Sequence, residues 1–216
     1  MGSQSAKTAR RPRSDSVRNR ELLLEAAAAV FGGGGPDASL DAVAKQAGVG
    51  IGTLYRHFPT REALFEAVYR HEVDQLGELA ERLATEAAPV DALRRWLHAN
   101  VQLVATKKGM LAALALAAQS RPELYAYSFE RLTKAIGSLL DRAVAAGDIR
   151  QDITPEELLR ALVGMCYMHD QPGWQRSVLH LVDIFVDGLG NRETARRSKT
   201  VPGSPPSPRQ RHQRSG

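Results

Sequence analysis

Cysteine is almost absent from the 216 residues. Only Cys166 occurs, which excludes an internal disulfide framework and a cysteine-rich zinc site and suits a reducing compartment. Aromatic residues are scarce, at 6%, beside 43% hydrophobic residues weighted to Ala and Leu, a balance that favours helices over sheets. Long apolar runs are missing too. The longest, Met110 to Ala118, is well short of the roughly 20 residues that a spanning helix needs. A secretory leader is not expected either, because Glu21 and Glu25 interrupt the apolar stretch LLLEAAAAVF and FGGGGPDA is a poor cleavage context. A soluble, cytoplasmic protein without a membrane partner is the expectation.

Phosphate-binding loops are lacking in the same way. Gly48 and Gly50 begin a GxGxxG pattern, but Thr53 stands where the third glycine belongs, and no Gly-Lys-Ser/Thr follows. His71-Glu72 begins an HExxH zinc motif that fails at Gln75, so a solvated helix face is the simpler reading. No metal, cofactor or catalytic constellation is expected.

What is present is a charge imbalance between the ends and the middle. Residues 1–20 hold six Lys/Arg against Asp15, and residues 191–216 hold seven against Glu193, so the 21–190 core is net acidic although the chain is net +5. Both ends are rich in Pro, Ser and Arg, and are expected to be a disordered basic arm (1–15) and tail (191–216). They serve either solubility or nonspecific phosphate attraction.

Between them, helical periodicity is nearly continuous, and the expected class is all-α with about nine helices. Leu22, Leu23, Ala26, Ala27, Val30 and Phe31 form one amphipathic stripe, ended by Gly32 to Gly35. Ser39 is positioned to cap a second helix that Gly48 closes. A third runs from Gly50 or Ile51 to Phe58, where Pro59 disfavours helical geometry. Thr60 caps a long fourth helix. Val90 to Val104 mark the fifth, Met110 to Ala118 a short sixth, and Pro122 to Ala143 the seventh. Thr154-Pro-Glu-Glu157 reads as a capping box for the eighth, and Pro172-Gly173 separates the ninth.

The second and third helices form a tight helix-turn-helix, with Gly48 at the bend where a positive φ is expected. In such a unit the second helix enters the major groove of DNA. Without side chains at Gly50 and Gly52, backbone N–H groups at the positive helix end can approach a phosphate. Thr53 offers a hydroxyl and a methyl to a base edge, Tyr55 and His57 can donate to phosphates, and Arg56 and Arg61 add charge. Leu54 and Phe58 face inward. Arg18, Ser39 and Ile51 complete the candidate DNA-contacting set.

The ordered set ASLDAVAKQAGVGIGTLYRHFPTREALFEAV resembles the DNA-binding signature of TetR-family transcriptional regulators, over roughly residues 16 to 70. The resemblance implies that Gly52, Thr53, Tyr55, His57 and Arg61 contact DNA. Gly50 departs from the serine often found there, and Ile51 from a polar residue. It also implies a helix-turn-helix domain (16–62) followed by a helical domain (63–190) that holds a small-molecule pocket and dimerises through its last two helices. The expected partners are therefore double-stranded DNA with an inverted repeat, a small apolar or amphipathic effector and a second copy of the chain. Candidate pocket residues are Trp96, Asn100, Met110, Phe129 and Met165, each also readable as ordinary core.

The eighth helix has apolar residues on two sides, Leu158, Leu162 and Met165 on one and Leu159, Val163 and Cys166 on the other, which suggests burial against its own core and a partner. Val182 and Phe185 of the ninth are read as part of the same contact. The fourth helix is the expected lever between effector and DNA. Two other classes remain open at this stage: an effector-independent architectural DNA-binding protein, favoured by the basic ends, and a small helical enzyme using His98 or His169.

Overall fold

The computed structural model describes residues 12–33, 38–113, 122–168 and 171–190. Among the described residues there are eight helices and no strand: α1 (Pro12–Gly32), α2 (Leu40–Gln46), α3 (Ile51–His57), α4 (Arg61–Glu86), α5 (Pro89–Ala113), α6 (Pro122–Ala145), α7 (Pro155–Tyr167) and α8 (Trp174–Gly188). The all-α class is borne out. None of these helices is long and apolar enough to cross a membrane.

Local capping decides where the helices begin. The Ser39 hydroxyl accepts from the Ala42 N–H at 3.1 Å, and Thr60 accepts from Ala63 at 3.1 Å, each satisfying a donor that the first turn leaves unpaired. At α7 the box is reciprocal: the Thr154 N–H donates to Glu157 Oε2 at 2.8 Å and the Glu157 N–H to Thr154 Oγ1 at 3.2 Å. Gly48 adopts φ +69 at the α2–α3 bend, a conformation that costs a side-chain-bearing residue energy.

Two expectations change. Residues 12–15 of the basic arm are helical, because Pro12 suits a first turn and Asp15 lies near the positive helix end. The rest of that arm, and the whole tail, lie outside the described residues. The stretch from Met110 does not open a helix of its own. Residues 110–113 continue α5, and 114–118 lie outside the described residues.

Helix α5 is the axis of the molecule, touching α1, α4, α6, α7 and α8. Its Trp96 is fully buried and donates its indole N–H to the Leu76 carbonyl of α4 at 2.8 Å. Arg94 and His98 bind Asp183 of α8 at 3.0 and 2.9 Å. Arg142 of α6 donates to the Ala87 carbonyl at 2.8 Å, fixing the α4–α5 turn. No break separates the expected domains at residue 62, since α4 runs through that point and packs on both α1 and α6.

Candidate nucleic-acid interface and effector cavity

Helix α3 is held by two anchors. Leu54 is fully buried and Phe58 nearly so, with the Arg20 guanidinium of α1 4.7 Å above the Phe58 ring. That seat turns the other face outward. Ile51, Gly52, Tyr55 and Arg56 are exposed, Thr53 and His57 half-buried. Arg56 folds back along the helix, donating to the Gly52 carbonyl at 3.2 Å and to Thr53 Oγ1 at 3.1 Å. Arg18 and Arg61 are exposed, and Ser39 caps α2.

Gly50 is the N-cap of α3, at φ −72, a place that glycine suits. Gly52 lies inside the helix without a positive φ, and a Cβ on it would meet nothing within 4 Å, so nothing within the fold requires glycine there. Yet glycine inside a helix costs about 1 kcal/mol relative to alanine. From Ala42 to Arg61 the chain has Lys45, Arg56 and Arg61 and no carboxylate, a local positive field on a net acidic core. The first turn of α3 has no acidic residue either, so its unpaired N–H groups keep their attraction for an anion.

A second feature lies about midway along α5. A cavity of about 330 Å³ opens among α4, α5, α6 and α7, at the lower end of the range for small-molecule sites. One face of α5 forms its wall, because Asn100, Leu103, Val104 and Lys107 follow at i, i+3, i+4 and i+7. Asn100 is 1% exposed, and neither its amide nitrogen nor its oxygen has a partner among the described residues. Lys107 lies 5.3 Å from the Tyr69 ring centroid, and burial pulls its ammonium below the usual lysine range. Burial pushes the Tyr69 phenol up, against a hydrogen bond with Ser128.

Known proteins resemble this chain in sequence and in fold. Residues 23–68 match the model of bacterial regulatory proteins of the TetR family, and residues 88–191 match the C-terminal domain model of SbtR-like transcriptional regulators. A crystal structure of a TetR transcriptional regulator from Streptomyces coelicolor is 40% identical, with a TM-score of 0.71, covering 80% of this chain and 98% of that one. The chain belongs to the TetR family of DNA-binding transcriptional regulators. A TetR regulatory protein from Mycobacterium vanbaalenii is 30% identical over 82% of this chain and 98% of its own, with a TM-score of 0.65. The transcriptional repressor LfrR of Mycolicibacterium smegmatis is 35% identical over 127 residues, 58% of this chain and 65% of that protein, which is less than two thirds of LfrR's length.

Within this TetR-family frame the pocket candidates divide. Asn100 and Phe129 line the cavity. Trp96 and Met110 are fully buried, and Met165 is packed partly buried against the core; none of the three lines it. Sequence reasoning missed Tyr69, Lys107 and Ser128. The spacing of Asn100, Leu103, Val104 and Lys107 on one face was the signal that could have found Lys107.

On α7, Leu159 and Val163 line the cavity, Leu159 buried and Val163 36% exposed, and Leu158, Leu162 and Cys166 are buried. Burial pushes the Cys166 thiol up to about 11, as suits an inert core thiol. On α8, Val178, Val182 and Val186 are buried, while Leu181 and Ile184 are exposed. Val182 therefore packs inward, because the 3.6-residue period places it with Val178 and Val186, and the outward apolar face is Leu181 with Ile184. His98 is tied to Asp183 as part of the α5–α8 joint, and His169 lies outside the described residues.

Proposed function

We propose that the chain is a homodimeric, cytoplasmic repressor that reads an inverted-repeat operator with α3 and is released when a small molecule fills the cavity beside α5. The observation that carries the DNA reading is Gly52, inside α3. Neither the backbone nor any neighbour requires glycine there, so the missing side chain serves what approaches from outside. Thr53 then takes the base edge, Tyr55 and His57 the phosphates, and Arg18, Ser39, Arg56 and Arg61 flank them. The repressor name of LfrR supports the sign of regulation.

A symmetric dimer presents two recognition helices, so its preferred site is a palindrome. Selection from random DNA is expected to return an inverted repeat; recovery of only asymmetric or unrelated sites contradicts the reading. An architectural protein without effector is the second reading, and the basic ends favour it. Its binding would be almost wholly electrostatic, falling steeply with salt and showing little sequence preference. The unpartnered Asn100 inside an apolar cavity favours the effector-responsive form.

Two routes lead from the cavity to α3. Helix α4 brings Tyr69 to the cavity and begins at Arg61, directly after the α3 turn. Helix α5 brings Lys107 to the cavity and lies against the end of α1 at Gly109. A ligand that prefers one arrangement of these helices shifts the spacing of the two recognition helices, and DNA must weaken that ligand's binding by the same factor.

A further inference from the structure

The cavity's polar groups are few, and each one constrains what can occupy it. Asn100 is almost wholly buried, with both amide atoms unpartnered. It asks for a neutral group that donates to Oδ1 and accepts from Nδ2, as a hydroxyl does. Lys107 stands two turns further along the same face, about 10.5 Å of helical rise. Its contact is the Tyr69 ring, and no carboxylate offsets the burial that pulls its ammonium down. An anion is what such a cation lacks.

Between these two points the wall is apolar, formed by Leu103, Val104 and Leu132. Phe129 stacks on Tyr125 at 5.9 Å between centroids, with the Arg160 guanidinium 5.8 Å from its own centroid, so the α6 side of the cavity is aromatic, which favours a ring over an aliphatic chain. The volume of about 330 Å³ suits one or two rings. Two cations line the cavity, but Arg160 of α7 is exposed to solvent, so the half-buried Lys107 of α5 is the one that calls for a negative charge inside it.

We propose that the effector is an aromatic monocarboxylate with a hydroxyl at its far end, the carboxylate held by Lys107 and the hydroxyl by Asn100. This rests on the effector reading of the cavity. It names the ligand class that the cavity selects.

Calorimetry on the full chain tests it without DNA, using three probes: a biphenyl with a para carboxylate on one ring and a para hydroxyl on the other, its carboxamide, and the acid lacking the hydroxyl. The hydroxy acid is expected to bind at least about tenfold more tightly than either analogue, the effect of one charge-assisted or buried hydrogen bond. Lys107→Met is expected to abolish the preference for acid over carboxamide while leaving carboxamide binding intact, and Lys107→Arg to retain it. Asn100→Leu is expected to abolish the preference for the hydroxylated acid. Equal binding of acid and carboxamide, a preference that survives Lys107→Met, or no binding by any probe overturns the proposal. If the probes bind in the expected order but leave operator affinity unchanged, the effector reading fails and the ligand class stands. If a neutral compound shifts operator affinity while the acids do not bind, the ligand class fails alone.

Discussion

The main chain of Gly109 in α5 lies directly against the carbonyl of Phe31 at the end of α1. A Cβ built on Gly109 would stand 1.7 Å from the Phe31 oxygen. One residue on in α1 and three residues back in α5 the seam repeats more loosely, with Gly32 over the Thr106 hydroxyl at 3.2 Å from an added Cβ. No side chain at all can be accommodated at Gly109 without moving one helix. The end of α1 and the cavity wall are thereby parts of one rigid joint.

Gly109→Ala is expected to push α1 off α5 and to destabilise the fold by about 1–3 kcal/mol, the usual cost of overpacking. Thermal unfolding measures that loss. Operator affinity is expected to fall with it, because α1 carries Arg20, whose guanidinium covers the Phe58 anchor of α3. Unchanged melting temperature and unchanged affinity would mean that the two backbones are not in contact.

Asn100→Leu is expected to stabilise the ligand-free protein. The wild-type amide is buried with neither atom partnered, a state that costs about 1–3 kcal/mol, and leucine removes it beside a cavity that can take the extra volume. Denaturant unfolding in the absence of ligand reads the difference. A clear loss of stability would show that Asn100 has a structural partner and is not waiting for a ligand.

The outward face of α8 separates assembly from folding. Leu181 and Ile184 are exposed, at 38% and 55%, the kind of apolar pair that marks an interface. Replacing both with aspartate is expected to give folded monomers by sedimentation and circular dichroism. Val182→Asp is expected to unfold the domain, since it buries an unpaired charge. A double variant that stays dimeric, or a wild-type chain that is monomeric at micromolar concentration, removes α8 from the interface.

The helix starts were legible because capping is a local matter. Ser39, Thr60 and the Thr154–Glu157 box each act within three residues, so their pattern survives in the sequence. The continuation of α5 through Met110 was not legible. Lys107-Lys108-Gly109 interrupts the apolar period, and the reason for a glycine there is the backbone of Phe31, remote in sequence. The inner and outer faces of α8 were equally obscure, because Val178, Leu181, Val182, Ile184 and Phe185 are all apolar and only tertiary packing chooses among them. Cavity wall and core also look alike in sequence. Trp96 was read as a pocket residue because it is large and aromatic, yet its N–H is spent on the Leu76 carbonyl. Lys107 was passed over because a lysine normally faces solvent.

The DNA-facing role of α3 is tested most directly by Gly52→Ala, measured twice: melting temperature of the free protein, and affinity for a selected inverted-repeat operator by fluorescence anisotropy. Nothing in the fold needs glycine at this helical position, so alanine is expected to stabilise the protein by roughly 0.5–1 kcal/mol. On the proposed reading the added methyl would stand where the phosphate backbone approaches, and operator affinity is expected to fall by at least about tenfold, the scale of one lost charge-assisted contact. A rise in stability together with a fall in affinity is the predicted result. Unchanged operator affinity in a stabilised Gly52→Ala protein would contradict the assignment of α3 as the surface that meets DNA.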